Sequence, residues 1–369
     1  MTGARAADAR TAGGLTAEAR TAGPVLALID AEVAEVADGV RLTLTAAELL
    51  TVARDVATGL GVPLEVVWTG ALDDAVVASL GAHGATRVHH LADEPVTTCE
   101  LAGALTALVA AASPAALLAT TSFASRELAA RLGVRLGAGV LVDAARIEVV
   151  DGRLVADRTA FAASWGSRCE VLTSPAVVTV KPHATASGSA VTSSAGSRGS
   201  GAPAVGQDPA VGAVPDVVPL APGTPDPRVR VVERTPRLAT GRPDLATAAV
   251  VVAGGRGTEG DFTALEELAD VLGAAVGATR VATDEGWVGH EIQVGQTGVT
   301  INPVLYVGAG VSGAIHHVGG MRAAQTVVAI NTDPDAPLME IADYAVVGDL
   351  FDVVPQLTAR LRELRGDGS

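Results

Sequence analysis

Glycines set beside arginine, hydroxyl and imidazole side chains crowd the last third of this chain. Gly254-Gly-Arg-Gly257 follows an apolar run, so a strand would deliver Arg256 on a backbone almost free of side chains. Gly308-Ala-Gly-Val-Ser-Gly313 follows a second apolar run and formally matches the glycine pattern of dinucleotide-binding turns. Such glycines let a pyrophosphate approach the backbone. The segment Ser312, Gly313, Ala314, Ile315, His316, His317 would add amides and a hydroxyl at a helix start, where anions are favoured. Between the two clusters lie Gly277-Ala-Thr-Arg280 and the polar tight turn Gly295-Gln-Thr-Gly298. The chemistry suggested is capture of a nucleotide-bearing ligand. As an NAD fingerprint the Gly308 pattern is poor, because it is outside the first strand-helix unit of its domain and Gly319-Gly320 permits only a short helix. From the residues alone an NAD-dependent dehydrogenase and a nucleotide-binding module without redox chemistry both stay open. His89 and His90 have no Cys or carboxylate at ligand spacing, so no metal is assigned. Trp287 is read as packing at the edge of the site.

These residues need strands to hold them, and the composition supplies them. The chain has 369 residues, 49% of them hydrophobic and only 2% aromatic, which suits parallel sheets covered by closely packed helices. That length predicts two domains. A net charge of -15 without a basic stripe argues against nucleic acid, whose backbone is bound by clustered cations. Two cysteines, Cys99 and Cys169, are too few for a disulfide framework and are read as reduced, buried small hydrophobes. The uncharged stretch Leu101 to Thr121 is long enough to consider as a membrane span, but Ser113-Pro114 divides it into a helix and a buried strand. No signal peptide or anchor is recognised, and cytoplasmic is the default.

Along the chain, residues 1–23 are read as a disordered start and 24–183 as an N-terminal α/β domain. Its βαβ order begins at Val25-Leu-Ala-Leu-Ile29, with Thr45-Ala-Ala-Glu48 as a capping box and Asp151-Gly152 as a hairpin turn. Residues 184–230, rich in Ser, Gly, Pro and Ala, read as a linker or disordered insertion. In 231–369 the rhythm restarts with strands at Ala248 to Ala253, Val304 to Val307, Thr326 to Ile330 and Tyr344 to Val347. Helices are expected from Phe262 to Gly273 and Phe351 to Arg365. The fold class is thus α/β: two parallel-sheet domains, the second doubly wound.

Eight blocks in this order resemble the electron-transfer flavoprotein α subunits. They are Gly254-Gly-Arg-Gly257, Gly277-Ala-Thr-Arg280, Asp284-Glu-Gly-Trp287, Gln293-Val-Gly-Gln-Thr-Gly298, Gly310-Val-Ser-Gly-Ala-Ile-His-His317, Asn331-Thr-Asp-Pro-Asp-Ala-Pro337, Ala342-Asp-Tyr344 and Gly348-Asp-Leu-Phe351. The resemblance is strongest from Val250 to Pro355 and looser over the first domain. It implies one noncovalent FAD in the C-terminal domain, an electron carrier rather than a substrate-converting enzyme, and a heterodimer with a β subunit. It also implies a flavoprotein dehydrogenase as donor and a quinone reductase or other oxidoreductase as acceptor. The ADP half would lie on Ser312 to His317, with Thr279, Asn331, Asp349 and Leu350 around phosphates, ribose and adenine, and Arg256 contributing. The flavin would meet Arg280, the turn Val294, Gly295, Gln296, Thr297, and His317. Thr297 would bond near N5 and His317 would face the N1 and C2-carbonyl edge, so that Arg280, Thr297 and His317 tune the ring by favouring negative charge. Thr279 replaces a usual Ser, Thr332 a frequent Lys, and His316 a common Gln.

Overall fold

The computed structural model describes residues 23–30, 33–36, 39–93, 97–160, 165–186, 213–230, 232–233 and 241–365. Near-continuous apolar runs make strands buried on both faces. β1 (Gly23–Asp30) is such a run; it precedes a small ladder, β2 (Val33–Val36) with β3 (Gly39–Leu42). Then come α1 (Leu44–Leu60), β4 (Leu64–Thr69), α2 (Asp74–Ala82), β5 (Ala85–Leu91), α3 (Thr98–Ala112), β6 (Pro114–Thr120) and α4 (Phe123–Leu136). β7 (Gly139–Val150), β8 (Arg153–Ala160), β9 (Trp165–Glu170), β10 (Ala176–Ala186) and β11 (Asp216–Pro219) complete a nine-stranded sheet. Its order is β11-β5-β4-β1-β6-β10-β7-β8-β9, parallel except where β8 pairs antiparallel with β7 and β9. Side chains alternate between two cores: Val25, Ala27 and Ile29 pack with α1, Leu26 and Leu28 with α3 and α4.

Several sequence expectations shift. The cap of α1 is Thr43, whose hydroxyl accepts from Ala46 N–H at 3.2 Å, whereas Thr45 is buried inside the first turn. Cys99 and Cys169 are free thiols but half-buried rather than sealed in a core. His89 has a carboxylate partner after all: Glu65 on the neighbouring strand, Nε2 to Oε2 at 2.6 Å. Among the described residues no group of three potential ligands assembles around it or elsewhere, and no helix is long and apolar enough to cross a membrane. Two strands enter the stretch 184–230 that the sequence reads as a linker. β10 runs on to Ala186, and β11 adds an edge strand beside β5, with Val218 opposite His89. Residues 187–212 and the expected disordered start, 1–22, lie outside the described residues.

The second sheet comprises β12 (Val250–Gly254), β13 (Ala275–Ala278), β14 (Leu305–Ala309), β15 (Thr326–Asn331) and β16 (Tyr344–Val347), all parallel in the order β13-β12-β14-β15-β16. Between them run α5 (Thr263–Leu272), α6 (Arg280–Asp284), α7 (Ile315–Met321) and α8 (Pro337–Ile341), with α9 (Leu350–Arg365) last. Leu265, Leu268 and Ala269 of α5 are buried against β12, and burying each leucine is worth about 1.5–3 kcal/mol. Separate cores lie on the two faces, so this sheet is doubly wound as expected. β13 is an addition to the expected strands.

Candidate functional site

The chain leaves β12 for β13 on one side and returns to β14 on the other, so the strand order reverses between β12 and β14. Loops leaving the carboxyl ends part at such a reversal, and ligands bind in the crevice between them. A cavity of about 710 Å³ lies here, lined by residues of every loop at that end of the sheet. Its floor is backbone against backbone. Gly257 N–H donates to Gly310 O at 3.1 Å, and a Cβ added at Gly257 would stand 2.8 Å from Gly310 Cα. Gly310 (φ +64°) and Gly313 (φ +86°) hold left-handed conformations that disfavour side chains, and a Cβ at Gly313 would meet Leu338 N at 2.4 Å. The run Gly308 to Gly313 therefore closes on the first glycine turn, although it follows β14 rather than the first strand of the sheet.

The turn after Gln293 forms the facing wall. Val294 N–H bonds Ala278 O at 2.8 Å, Val299 N–H bonds Gln293 O at 2.7 Å, and Gln296 N–H bonds His316 O at 2.9 Å, clamping the turn between β13 and α7. Gln293 is buried, with Oε1 2.9 Å from Thr283 Oγ1 and Nε2 3.0 Å from Thr297 Oγ1. Arg280 opens α6 and is mostly exposed, its Nε 3.1 Å from the Asp284 carboxylate.

His317 lies in the wall with both ring nitrogens engaged. Nδ1 is 3.1 Å from Val294 O, an acceptor, so Nδ1–H donates there; Nε2 then accepts from Tyr306 O–H at 2.6 Å. Burial pushes the imidazole down to about 4, against a weaker upward pull from the Val294 carbonyl, and burial likewise pushes the Tyr306 phenol up. The ring is thus neutral and gives its N–H to the protein. A free donor edge at His317, expected from the sequence, is not what this arrangement presents.

Thr279 provides the clearest sign of a ligand. It stands at the N-cap of α6, where a threonine hydroxyl usually accepts from the helix, yet it makes no such bond. Its Oγ1 is buried without a partner and the residue lines the cavity. Buried hydroxyls are rarely left so, because an unmade hydrogen bond costs about 1–3 kcal/mol.

Of the residues singled out from the sequence, Arg256, Thr279, Arg280, Val294, Gly295, Thr297, Ser312, Gly313, Ala314, His316, His317, Asn331, Asp349 and Leu350 all line the cavity. Gln296 and Ile315 do not. Gln296 bonds His316 Nδ1 through Oε1 at 3.1 Å, and Ile315 projects to solvent at the start of α7. Asn331 and Asp349 also close their own turns, Asn331 Oδ1 accepting from Asp333 N–H at 3.1 Å and Asp349 Oδ1 from Phe351 N–H at 2.9 Å, while Asn331 Nδ2 ties across to Val311 O at 3.0 Å. Sequence reasoning named no role for Gln293, Glu259 or Phe351, which also line the cavity, as does Thr332. Gln293 was within reach, since it opens a block already recognised.

Comparison with known proteins agrees with this geometry. Residues 244–322 match the electron transfer flavoprotein FAD-binding domain, and residues 30–207 match the electron transfer flavoprotein domain. A protein of Syntrophomonas wolfei named electron transfer flavoprotein subunit alpha is 36% identical over 79% of this chain and 87% of its own. A Mycobacterium leprae protein of the same name is 37% identical over 87% of this chain and 94% of its own. A rice protein named as the mitochondrial subunit alpha is 56% identical over 124 residues, 33% of this chain and 35% of its own. The chain belongs to the electron transfer flavoprotein α-subunit family and carries that family's FAD-binding domain in its C-terminal part.

Proposed function

We propose that this chain holds FAD in the cavity at the β12/β14 reversal and, joined to a β subunit, passes electrons from flavoprotein dehydrogenases to a quinone reductase or another acceptor oxidoreductase, in the cytoplasm. The single observation that carries the placement is the cavity at the strand-order reversal, whose glycine floor brings the Gly257 and Gly310 backbones together and whose lining includes Thr279, with a buried hydroxyl left without a partner. The residues fit the cofactor. Glycine backbone at 254–257 and 308–313 with Ser312 to His317 suits the ADP half, and the turn Val294 to Thr297 with Arg280 and His317 suits the ring. Bound FAD supplies the capacity to store and release electrons singly. The chain's part is to fix the ring, keep water from it, and favour added negative charge. Arg280 contributes the cation and Thr297 a hydroxyl, while His317, neutral and tied to Tyr306 and Val294, contributes a rigid wall. Residues 24–183 with the β11 segment, and 231–369, act as two domains.

Thr279→Val tests this reading. The variant should lose about tenfold or less in FAD affinity, as one hydrogen bond of about 0.5–1.5 kcal/mol would predict. The flavin-free protein should become no less stable, since an unsatisfied buried hydroxyl has been removed. Unchanged FAD retention together with lowered apo stability would show that the hydroxyl serves the fold instead.

A further inference from the structure

Thr297 and Gln293 both line the cavity, and the polarity of the Thr297 hydroxyl is set by Gln293. A carboxamide N–H only donates, so the 3.0 Å contact from Gln293 Nε2 occupies a lone pair of Thr297 Oγ1. That leaves the Thr297 proton to point elsewhere, and Thr297 lines the cavity. Gln293 is in turn held at its far end. Thr283 Oγ1, buried on α6, lies 2.9 Å from Gln293 Oε1 and 2.9 Å from the Arg280 carbonyl. It has one proton for these two acceptors; given to the carboxamide, that proton fixes Oε1 on the Thr283 side and Nε2 toward Thr297. Gln293 is pinned besides through its backbone, whose carbonyl accepts from Val299 N–H and whose position bridges to Ala278.

We propose that Gln293, oriented by Thr283, is a positioning residue that makes the Thr297 hydroxyl a hydrogen-bond donor toward the flavin. This rests on the placement of the ring against the Val294 to Thr297 turn. A fixed donor at a ring nitrogen stabilises that nitrogen unprotonated and electron-rich, and it disfavours a protonated nitrogen that would need an acceptor there. The relay therefore helps the site take up an electron without a proton. It ties the flavin to α6 at two points, through Arg280 at the start of the helix and through Thr283 one turn later.

The experiment is a spectroelectrochemical titration of the FAD-loaded heterodimer carrying Gln293→Leu, Thr297→Val, both together, Thr283→Val or Thr283→Ser, with FAD retention measured alongside. Thr297→Val and Gln293→Leu should each lower the preference for one-electron-reduced over oxidised flavin three- to tenfold, about 28 to 59 mV at about 59 mV per tenfold. The double variant should fall no further, because Gln293 acts through Thr297; a packing role would add. Thr283→Ser should match wild type and Thr283→Val should not. Thr283 is outside the cavity lining, so this pair decides the matter even if Gln293→Leu loses its flavin. An unmoved potential in Thr297→Val, with FAD retained, would refute the placement of the ring. A shift in Thr297→Val with none in Gln293→Leu or Thr283→Val, or additive shifts in the double variant, would overturn the relay alone.

Discussion

His317 gives the structure a measurable pH dependence. Its imidazole is held at about 4 against an ordinary 6.5, because burial disfavours the imidazolium more than the Val294 carbonyl favours it. The sign follows from linkage. Above about 6.5 the ring is neutral in both folded and unfolded chains and contributes no slope. Between about 6.5 and 4 the unfolded chain binds a proton that the folded chain refuses, so stability falls as pH falls. At about 1.36 kcal/mol per unit, the full separation is worth about 3 kcal/mol, and about 2 kcal/mol is lost by pH 5. His317→Gln keeps a neutral polar side chain and removes the titration. Urea unfolding of wild type and variant at pH 7.5 and pH 5 isolates the histidine from the carboxylates both proteins share, provided the difference between them is followed. That difference should change by about 2 kcal/mol in the direction that favours the variant at low pH. Parallel pH profiles for wild type and His317→Gln would mean that the ring titrates at its ordinary value and that the Tyr306–His317–Val294 arrangement is wrong.

Two further outcomes test other parts of the molecule. Arg280→Ala should lower the flavin potential by about 30 to 60 mV, about 0.7 to 1.4 kcal/mol for one electron, with FAD retained, whereas Asp284→Asn should raise it by releasing the guanidinium from its carboxylate partner; potentials equal to wild type in both would remove Arg280 from the ring's surroundings. Gly223→Val should destabilise the first sheet by about 1–3 kcal/mol, as overpacking does, because a Cβ there would stand 2.0 Å from the Glu100 carbonyl on α3; an unchanged melting temperature would mean that the segment carrying β11 is not docked.

The order of elements was legible because apolar runs and helical faces alternate so regularly, and because burial of both sheet faces leaves little choice of partner. What was missed was short or locally ambiguous. β13 is only Ala275–Ala278, without the run of β-branched residues that marks a strand. β11 was hidden by its setting, with Pro215 before it and Pro219 as its last residue. An edge strand tolerates proline because one side needs no ladder bonds, so proline-rich composition did not exclude pairing with β5. At α1 the pattern Thr45-Ala-Ala-Glu48 satisfied the sequence rule, yet Thr43 has the extended backbone that a cap requires. Composition identifies candidates for these roles; the chain path selects among them.

The site divides in the same way. Glycine positions announce where the backbone must come close, and these were readable. The direction in which a hydroxyl or imidazole points depends on partners brought in from other elements, and these were not. Tyr306 precedes His317 by eleven residues on a different element, and nothing in the spacing says that its phenol will take the imidazole's second nitrogen. Once it does, the proposed site would not draw the charge that favours a reduced ring from an imidazolium. In the proposed site it would fall to Arg280, whose side chain is 65% exposed and already shared with Asp284, and to oriented dipoles such as the Thr297 hydroxyl. These two sources respond differently to salt. A solvent-facing guanidinium is screened over a Debye length of about 8 Å at physiological ionic strength, while a short hydrogen bond in a dry wall is not. If both act, raising the salt should erode the potential difference between wild type and Arg280→Ala and leave that between wild type and Thr297→Val intact.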